Sequence, residues 1–416
     1  MKLKYSEKIE PINQLRRRIM GFLLGLLAII VVLGISFLMS NDRKNINYKG
    51  IVIMLLAQVV TTWFMFQTTI GNKIINWISD VFNKLIEFGS AGVSFVVGGL
   101  MIEEGGGGVF FFNVLLLIIF FSTLLSVLTY LRVLPVLIKY LGGFISKITG
   151  LPKVESFNAV NSIFFGQSEA LLAIKSQFHH LNKNRLYIVS ASAMGSVSAS
   201  IIGAYMQMLP AQYVLVALPL NMFSSLIIAS IIAPVRVEDS ADQVEVKDVS
   251  TSKSIFEAMG NGALDGGKIA LIVAAMLIAF IASLELVNWV IQAIFGGITI
   301  QQILGYILSP IGVLMGIAPS EVITAGGIMG TKIVTNEFVA MLELQPLVNT
   351  LSEKTVGIVA VFLTSFANFS SIGIIAGTVQ GIDGEKGAQV SRFGFKLLLG
   401  ATLGSILSAT MAGLFL

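Results

Sequence analysis

The chain has 416 residues, 55% of them hydrophobic and only 12% charged, and its mean hydropathy is +0.87. That balance excludes a soluble globular protein and marks an integral membrane protein, while the absence of cysteine removes disulfides, thiolate metal sites and cysteine nucleophiles. The net charge of +4 comes from Lys and Arg scattered between apolar runs rather than lining one face, so the lipid bilayer is an expected partner and nucleic acid is not.

Apolar runs close to the length that spans hydrocarbon recur at residues 19–39, 50–70, 109–131, 186–209, 214–233 and 397–416. The first is too long for a signal-peptide core and no small-residue cleavage site follows it, so it reads as a retained helix. Beyond the basic loop 41–49 and the second helix, residues 73–87 put Ile74, Ile78, Val81, Phe82, Leu85 and Ile86 on one face and Asn76, Asp80, Asn83, Lys84 and Glu87 on the other. That pattern predicts an amphipathic helix lying in the membrane interface. The glycines at 105–108 break the chain before the next helix; with no GK[ST] after them they make no phosphate cradle. A second interfacial element is expected over 134–148, where Leu134, Leu137, Ile138, Leu141, Phe144 and Ile145 oppose Lys139 and Lys147. The longest polar tract, 234–254, is the natural hinge between two halves.

The halves share a layout. NSIFFGQSEALLA precedes the Ser- and Gly-rich SASAMGSVSASIIGAY, as TNEFVAM precedes SFANFSSIGIIAG, and each pair reads as a polar-tipped hairpin followed by a broken helix. Ser200 lies thirty-one positions after Glu169, and Asn368 thirty-one after Glu337. Internal repeats with discontinuous helices are the pattern of secondary transporters. The expected division is 1–148, amino-terminal scaffold; 149–235, first hairpin and broken helix; 236–298, cytoplasmic loop and scaffold helix; and 299–416, second hairpin, broken helix and final helix. Loop cations such as Arg43, Lys139, Lys183, Arg236 and Arg392 can all face the cytoplasm in one alternating topology with both termini outside, provided each hairpin re-enters without crossing. Lys2, Lys4, Lys8 and Arg16 to Arg18 then fall on the wrong side, which leaves open an extra interfacial helix at the amino terminus or an inward one.

A carboxylate at mid-membrane costs roughly 2.5–3.5 kcal/mol, so one that persists faces a polar cavity or a partner. Gln167, Ser168 and Glu169 are expected near the tip of the first hairpin, with Gly166 supplying its flexibility, and Asn336 and Glu337 at the second. The alternative is that the glutamates pair with lysines such as Lys175 or Lys332, or cap helices near the surface. Asn368, Ser370 and Ser371 interrupt an apolar helix beside Phe366 and Phe369, an arrangement suited to an uncharged ligand with a stackable ring and hydroxyls. His179 and His180 sit in a polar stretch with Gln177, Asn182 and Arg185 and read as surface residues rather than a proton relay. An intramembrane enzyme using Glu169 and Glu337 as an acid–base pair finds no HExxH, no GxSxG and no cysteine to support it; an always-open channel is the other competing class.

GQSEALL, TNEFVAM and FANFSSIGI, in that order, resemble the signature segments of the concentrative nucleoside transporter family, and the likeness runs over nearly the whole chain to the SRFGFKLLLG-type final helix. The resemblance implies an all-α polytopic membrane protein of the cytoplasmic membrane. It would be a homotrimer whose protomers have eight transmembrane helices, two re-entrant hairpins, interfacial helices and an inverted repeat, working as an elevator. It implies that Gln167 and Glu169 bond the nucleobase with Ser168 beside them, that Glu337, Asn368 and Ser371 hold the ribose hydroxyls, and that Phe366 packs nearby. Two departures matter: GQSEALL lacks the proline of the common GQTEAPL, and Ser162 stands where sodium-coupled members carry an asparagine. The loss of that amide ligand favours proton coupling over sodium, with Glu169 or Glu337 as the proton carrier, although Ser162, Ser196, Ser198 and Ser200 retain oxygens that a sodium ion can use. No other cofactor and no metal centre is expected.

Overall fold

Long apolar runs with few charges fold as helices because only a helix satisfies every backbone group inside lipid. The computed structural model describes residues 2–98, 109–235 and 252–416, with side chains from Met20 onward; the glycine run at 105–108 and most of the polar tract 234–254 lie outside the described residues. Every regular element among the described residues is helical.

In chain order the helices are α1 (Lys2–Leu38), α2 (Tyr48–Gln67), α3 (Thr69–Val97), α4 (Leu117–Tyr130, entered through a π-helical turn at Phe111–Leu115), α5 (Val133–Thr149), α6 (Lys153–Ala173), α7 (Lys183–Met194) and α8 (Ala199–Met208). There follow α9 (Ala211–Ile232), α10 (Ile255–Phe295), α11 (Ile300–Leu314), α12 (Val322–Val334), α13 (Glu337–Leu344), α14 (Glu353–Leu363), α15 (Phe369–Ile382) and α16 (Gly384–Gly413). Among the described residues seven spans are long and apolar enough to cross a membrane: Met20–Leu38, α2, α4 with its π turn, α7 with α8, α9, α10 and α16. The helices α14 and α15 form a further pair, interrupted between Leu363 and Phe369 and each shorter than a full span. The basic amino-terminal segment continues α1 as one backbone helix rather than forming a separate element.

The amphipathic stretch expected over 73–87 is the middle of a longer helix, α3, because nothing after Glu87 stops it until Gly98 takes a positive φ of 49°. Thr68 caps its start by accepting from Gly71 N at 2.9 Å. The second expected interfacial element is α5, ending at Gly150 in the left-handed conformation.

Layering follows from burial. The α7–α8, α9 and α16 spans lie mostly inside the protein, whereas α1 and α10 turn apolar side chains such as Leu23, Ile30, Leu271, Ile278 and Trp289 outward. The long α10 packs on α4 through glycines: a Cβ at Gly266 would lie 2.6 Å from Ile119 Cα, and one at Gly262 2.7 Å from Thr123 Cα. Small residues of this kind let membrane helices approach closely. Within the buried layer, Arg185 on α7 clamps Glu155 on α6 with Nε–Oε1 at 2.5 Å and Nη2–Oε2 at 3.0 Å. This bidentate pair fixes the first arm of the first hairpin to the broken helix that follows it.

Candidate substrate-binding site

Both halves carry their chemistry at places where helices stop. In α6 the stop is Gly166, at φ 76° and ψ −172°, a region that only glycine occupies without strain. A Cβ there would lie 2.9 Å from Ser198 Cβ and 3.6 Å from Phe366 Cε2, so the tip of the first hairpin is pressed against the breaks of both interrupted helices. The second hairpin leaves helical geometry at Thr335. Asn336 then caps α13 by accepting from Val339 N at 3.0 Å, which makes Glu337 the first residue of α13. A carboxylate at a helix amino terminus faces unpaired N–H groups and is stabilised there. The two breaks, residues 195–198 and 364–368, are themselves joined: Phe366 N donates to Ser196 O at 3.0 Å, and Asn221 of α9 donates to Thr364 O.

Between these ends lies a cavity of about 250 Å³. The first hairpin lines it with Gln167, Ser168 and Glu169, the second with Asn336 and Glu337, the breaks and helix starts with Ser198, Ser200, Phe366, Asn368 and Ser371, and α10 with Ile269, Val273 and Met276. All seven residues expected to touch substrate therefore face one space. A mostly apolar pocket with a few convergent polar groups is the usual form of a small-molecule site.

Glu337 is buried and braced on both oxygens: Tyr205 Oη donates to Oε1 at 2.8 Å and Asn368 Nδ2 to Oε2 at 3.1 Å. Each oxygen keeps a lone pair for a further donor. The alternative pairing with Lys332 is not made, since the lysine turns to Phe362 O, Ser365 and Ser405. Glu169 forms no ion pair with Lys175 or any other lysine among the described residues. Its side chain is exposed to cavity space, and it also lines an adjoining polar chamber of about 340 Å³ with Ser126 and Thr129 of α4 and Asn261, Asp265 and Lys268 of α10.

Gln167 is buried, and its Oε1 has no hydrogen-bond partner among the described residues. Gln167 lines the cavity, and a buried acceptor without a partner is satisfied when a ligand brings a donor within its reach. Ser168 Oγ accepts from Thr378 Oγ1 at 3.1 Å. Asn368 is more heavily committed than the sequence suggests: its Oδ1 caps α15 by accepting from Ser371 N at 2.9 Å and from Ser370 Oγ at 2.7 Å, while its amide nitrogen braces Glu337. One N–H remains for a ligand.

Of the serines expected to serve a cation, Ser198 and Ser200 line this cavity, whereas Ser162 and Ser196 lie outside it. Ser162 Oγ donates to Asn158 O at 2.7 Å and Ser196 Oγ to Ala193 O at 3.0 Å, each bonding its own preceding turn, as hydroxyls in membrane helices do. Both are buried. Asn161, one place from the position of interest, donates to Ala170 O at 3.4 Å and ties the two arms of the hairpin together. Among the described residues no group of three His, Asp or Glu side chains could hold a metal ion. His179 and His180 are exposed in a short 3-10 turn, away from the cavity.

Sequence reasoning missed Tyr205, which reaches Glu337 from α8 and packs edge-on against Phe338 with centroids 5.0 Å apart at 68°. It also missed the apolar wall from α10. The only signal for Tyr205 was its place about two turns beyond the serine-rich break, which an ordinary core tyrosine would share.

Comparison with known proteins agrees with this geometry. Residues 213–413 match the Na+ dependent nucleoside transporter C-terminus, residues 27–100 the corresponding N-terminus, and residues 111–212 the nucleoside recognition (Gate) model. The chain is 39% identical to the purine nucleoside transport protein NupG of Bacillus subtilis, over 95% of this chain and 100% of that one. It is 33% identical to the nucleoside permease NupC of Helicobacter pylori, over 96% and 99%. The fold superposes on the solved inward-facing, substrate-bound structure of the transporter CNTnw with a TM-score of 0.90 at 33% identity, covering 95% and 98% of the two chains. Structures of variants of that transporter in outward-facing and intermediate states fit comparably. The chain, with its two hairpins and two interrupted helices meeting at one cavity, is a member of the concentrative nucleoside transporter family and not an enzyme.

Proposed function

We propose that the protein is a symporter that imports nucleosides across the cytoplasmic membrane, driven by the proton gradient. The observation that carries this reading is the pairing, across one cavity, of an unpartnered acceptor on Gln167 with a braced carboxylate on Glu337. The base docks at Gln167 and Glu169, where N–H groups find acceptors. The ribose docks at Glu337, with Asn368 and Ser371 beside it, because a carboxylate accepts from two hydroxyls at once. Phe366 covers the apolar face of the ligand.

Proton coupling is favoured by Ser162, whose hydroxyl supplies less to a sodium ion than the amide of sodium-coupled members. Glu169 is the better placed carrier of the two acids: it opens onto both the central cavity and the polar chamber, so water can deliver a proton to it, whereas Glu337 meets the central cavity alone and is already braced by Tyr205 and Asn368. Sodium coupling is the second reading, supported by the sodium-dependent description of the matching family models. Alternating access follows if the hairpins and broken helices of residues 149–235 and 299–416 slide as a body past α4 and α10. The several states solved for the similar transporter support that motion, and the family likeness supports a homotrimer.

Uptake into proteoliposomes decides the matter. Radiolabelled inosine or uridine should accumulate above equilibrium when a pH gradient is imposed, outside acid, with sodium absent. Accumulation driven only by sodium at fixed pH supports the second reading. Mere equilibration of the label indicates a channel and chemical alteration an enzyme.

A further inference from the structure

Lys332 sits on α12, five residues before Glu337, and is completely buried. Its Nζ donates to Phe362 O at 2.6 Å, to Ser365 Oγ at 2.6 Å and to Ser405 Oγ at 3.3 Å, and lies 4.4 Å from the centroid of the Phe362 ring. Among the described residues no carboxylate comes within ion-pair distance of it. Its nearest acidic neighbour in sequence, Glu337, is turned to Tyr205 and Asn368.

The surroundings supply an acceptor for each N–H of an ammonium. Three N–H bonds meet three acceptors, and a ring face closes the fourth side. Phe362 belongs to the last turn of α14, whose carbonyls have no helical partners beyond the break and form its partially negative end. In discontinuous membrane helices, such carbonyl-rich ends are where coupling cations are held. An ammonium this deep in a membrane protein persists only with compensation of that kind. The site also joins separate elements: Ser365 and Ser405 are 2.8 Å apart, so the lysine ties α12, the start of the break and α16 together. The break runs on from Ser365 directly into Phe366 and Asn368, two residues of the cavity.

We infer that the Lys332 ammonium is a built-in cation: it fills the break between α14 and α15 as a bound ion fills a broken membrane helix, and so holds Phe366 and Asn368 in place for the substrate. Lys332 is on this account a positioning residue, and the inference rests on the reading of the cavity as a nucleoside site.

The test is inosine and uridine binding to the purified full-length protein in detergent, measured by titration calorimetry. Lys332→Met keeps the length and removes the charge, and should weaken binding about tenfold or more, the scale of losing hydrogen bonds to a charged group. Lys332→Ala leaves room for the missing stem and head; added propylammonium should restore binding, while propanol of the same size should not. A space-filling role would leave Lys332→Met within twofold of the wild type, or let propanol rescue as well as the amine; either result overturns the inference. Should both lysine variants fail to give a monodisperse protein, Ser365→Ala removes one acceptor alone and should weaken binding about threefold or more, and unchanged affinity there overturns it too. Wild-type protein that binds neither nucleoside overturns the reading of the cavity itself, a result distinct from normal wild-type binding with unaffected variants.

Discussion

The Tyr205 hydroxyl lies 2.8 Å from Glu337 Oε1 and joins two elements far apart in sequence, α8 of the first half and α13 of the second. With Asn368 on the other oxygen, the carboxylate is fixed in direction before any ligand arrives. Prearranged acceptors lose little freedom when they bind, which is how a small cavity gains affinity. Tyr205→Phe should weaken nucleoside binding about tenfold, equivalent to roughly 1.5 kcal/mol for a hydrogen bond to a charged group. The protein should stay folded, because the ring contact with Phe338 is retained. Binding isotherms and melting curves on the same preparation check both halves of the prediction.

Glu337→Gln replaces one acceptor oxygen with a donor, which opposes the Tyr205 or Asn368 donor already pointed at it and removes an acceptor for ribose hydroxyls. Uptake should be abolished while the protein still appears in membranes and elutes as a single species on size exclusion. Wild-type uptake would contradict the assignment of the ribose site.

Gln167→Leu should separate stability from function. The Gln167 Oε1 atom is buried without a partner, and removing such a group relieves a penalty of about 1 kcal/mol. In the absence of ligand the variant should melt at or above the wild-type temperature, yet bind inosine and uridine about tenfold more weakly, by loss of the acceptor for the base. A variant that binds normally would show that the base docks elsewhere.

Ser162→Asn supplies the amide that sodium-coupled members carry. The present hydroxyl donates to Asn158 O, and the Ser196 hydroxyl is committed to Ala193 O. One added ligand does not complete a cation site, so uptake should gain no sodium stimulation. Strong new sodium dependence in proteoliposomes at fixed pH would show that the remaining oxygens already form a nearly finished site.

Much of this arrangement was legible in the chain because its signals are costly ones. Glu169 and Glu337 stand out as carboxylates in apolar runs, and Gly166 as the residue permitting a sharp tip, so both hairpins and the convergence of their polar ends could be read from spacing. The burial of Asn368 against Glu337 follows the same logic, but its double duty as cap of α15 and brace of the acid depends on rotamer and distance, which spacing does not carry. Tyr205 was invisible because an aromatic residue on an apolar helix is ordinarily core. Lys332 drew notice only as a partner for Glu337. Its true contacts lie thirty and more residues onward, at Phe362, Ser365 and Ser405, and only the packed structure brings them together. Helix ends were misjudged where no stop signal intervened, as in α3, which runs on to Val97.

The most direct measurement is a structure of the full-length protein with inosine or uridine bound. The account predicts one nucleoside in the cavity between the hairpins, its ribose hydroxyls within hydrogen-bond distance of Glu337 and its base within hydrogen-bond distance of Gln167. A nucleoside bound with either side chain beyond that reach, or in a different part of the molecule, would contradict it.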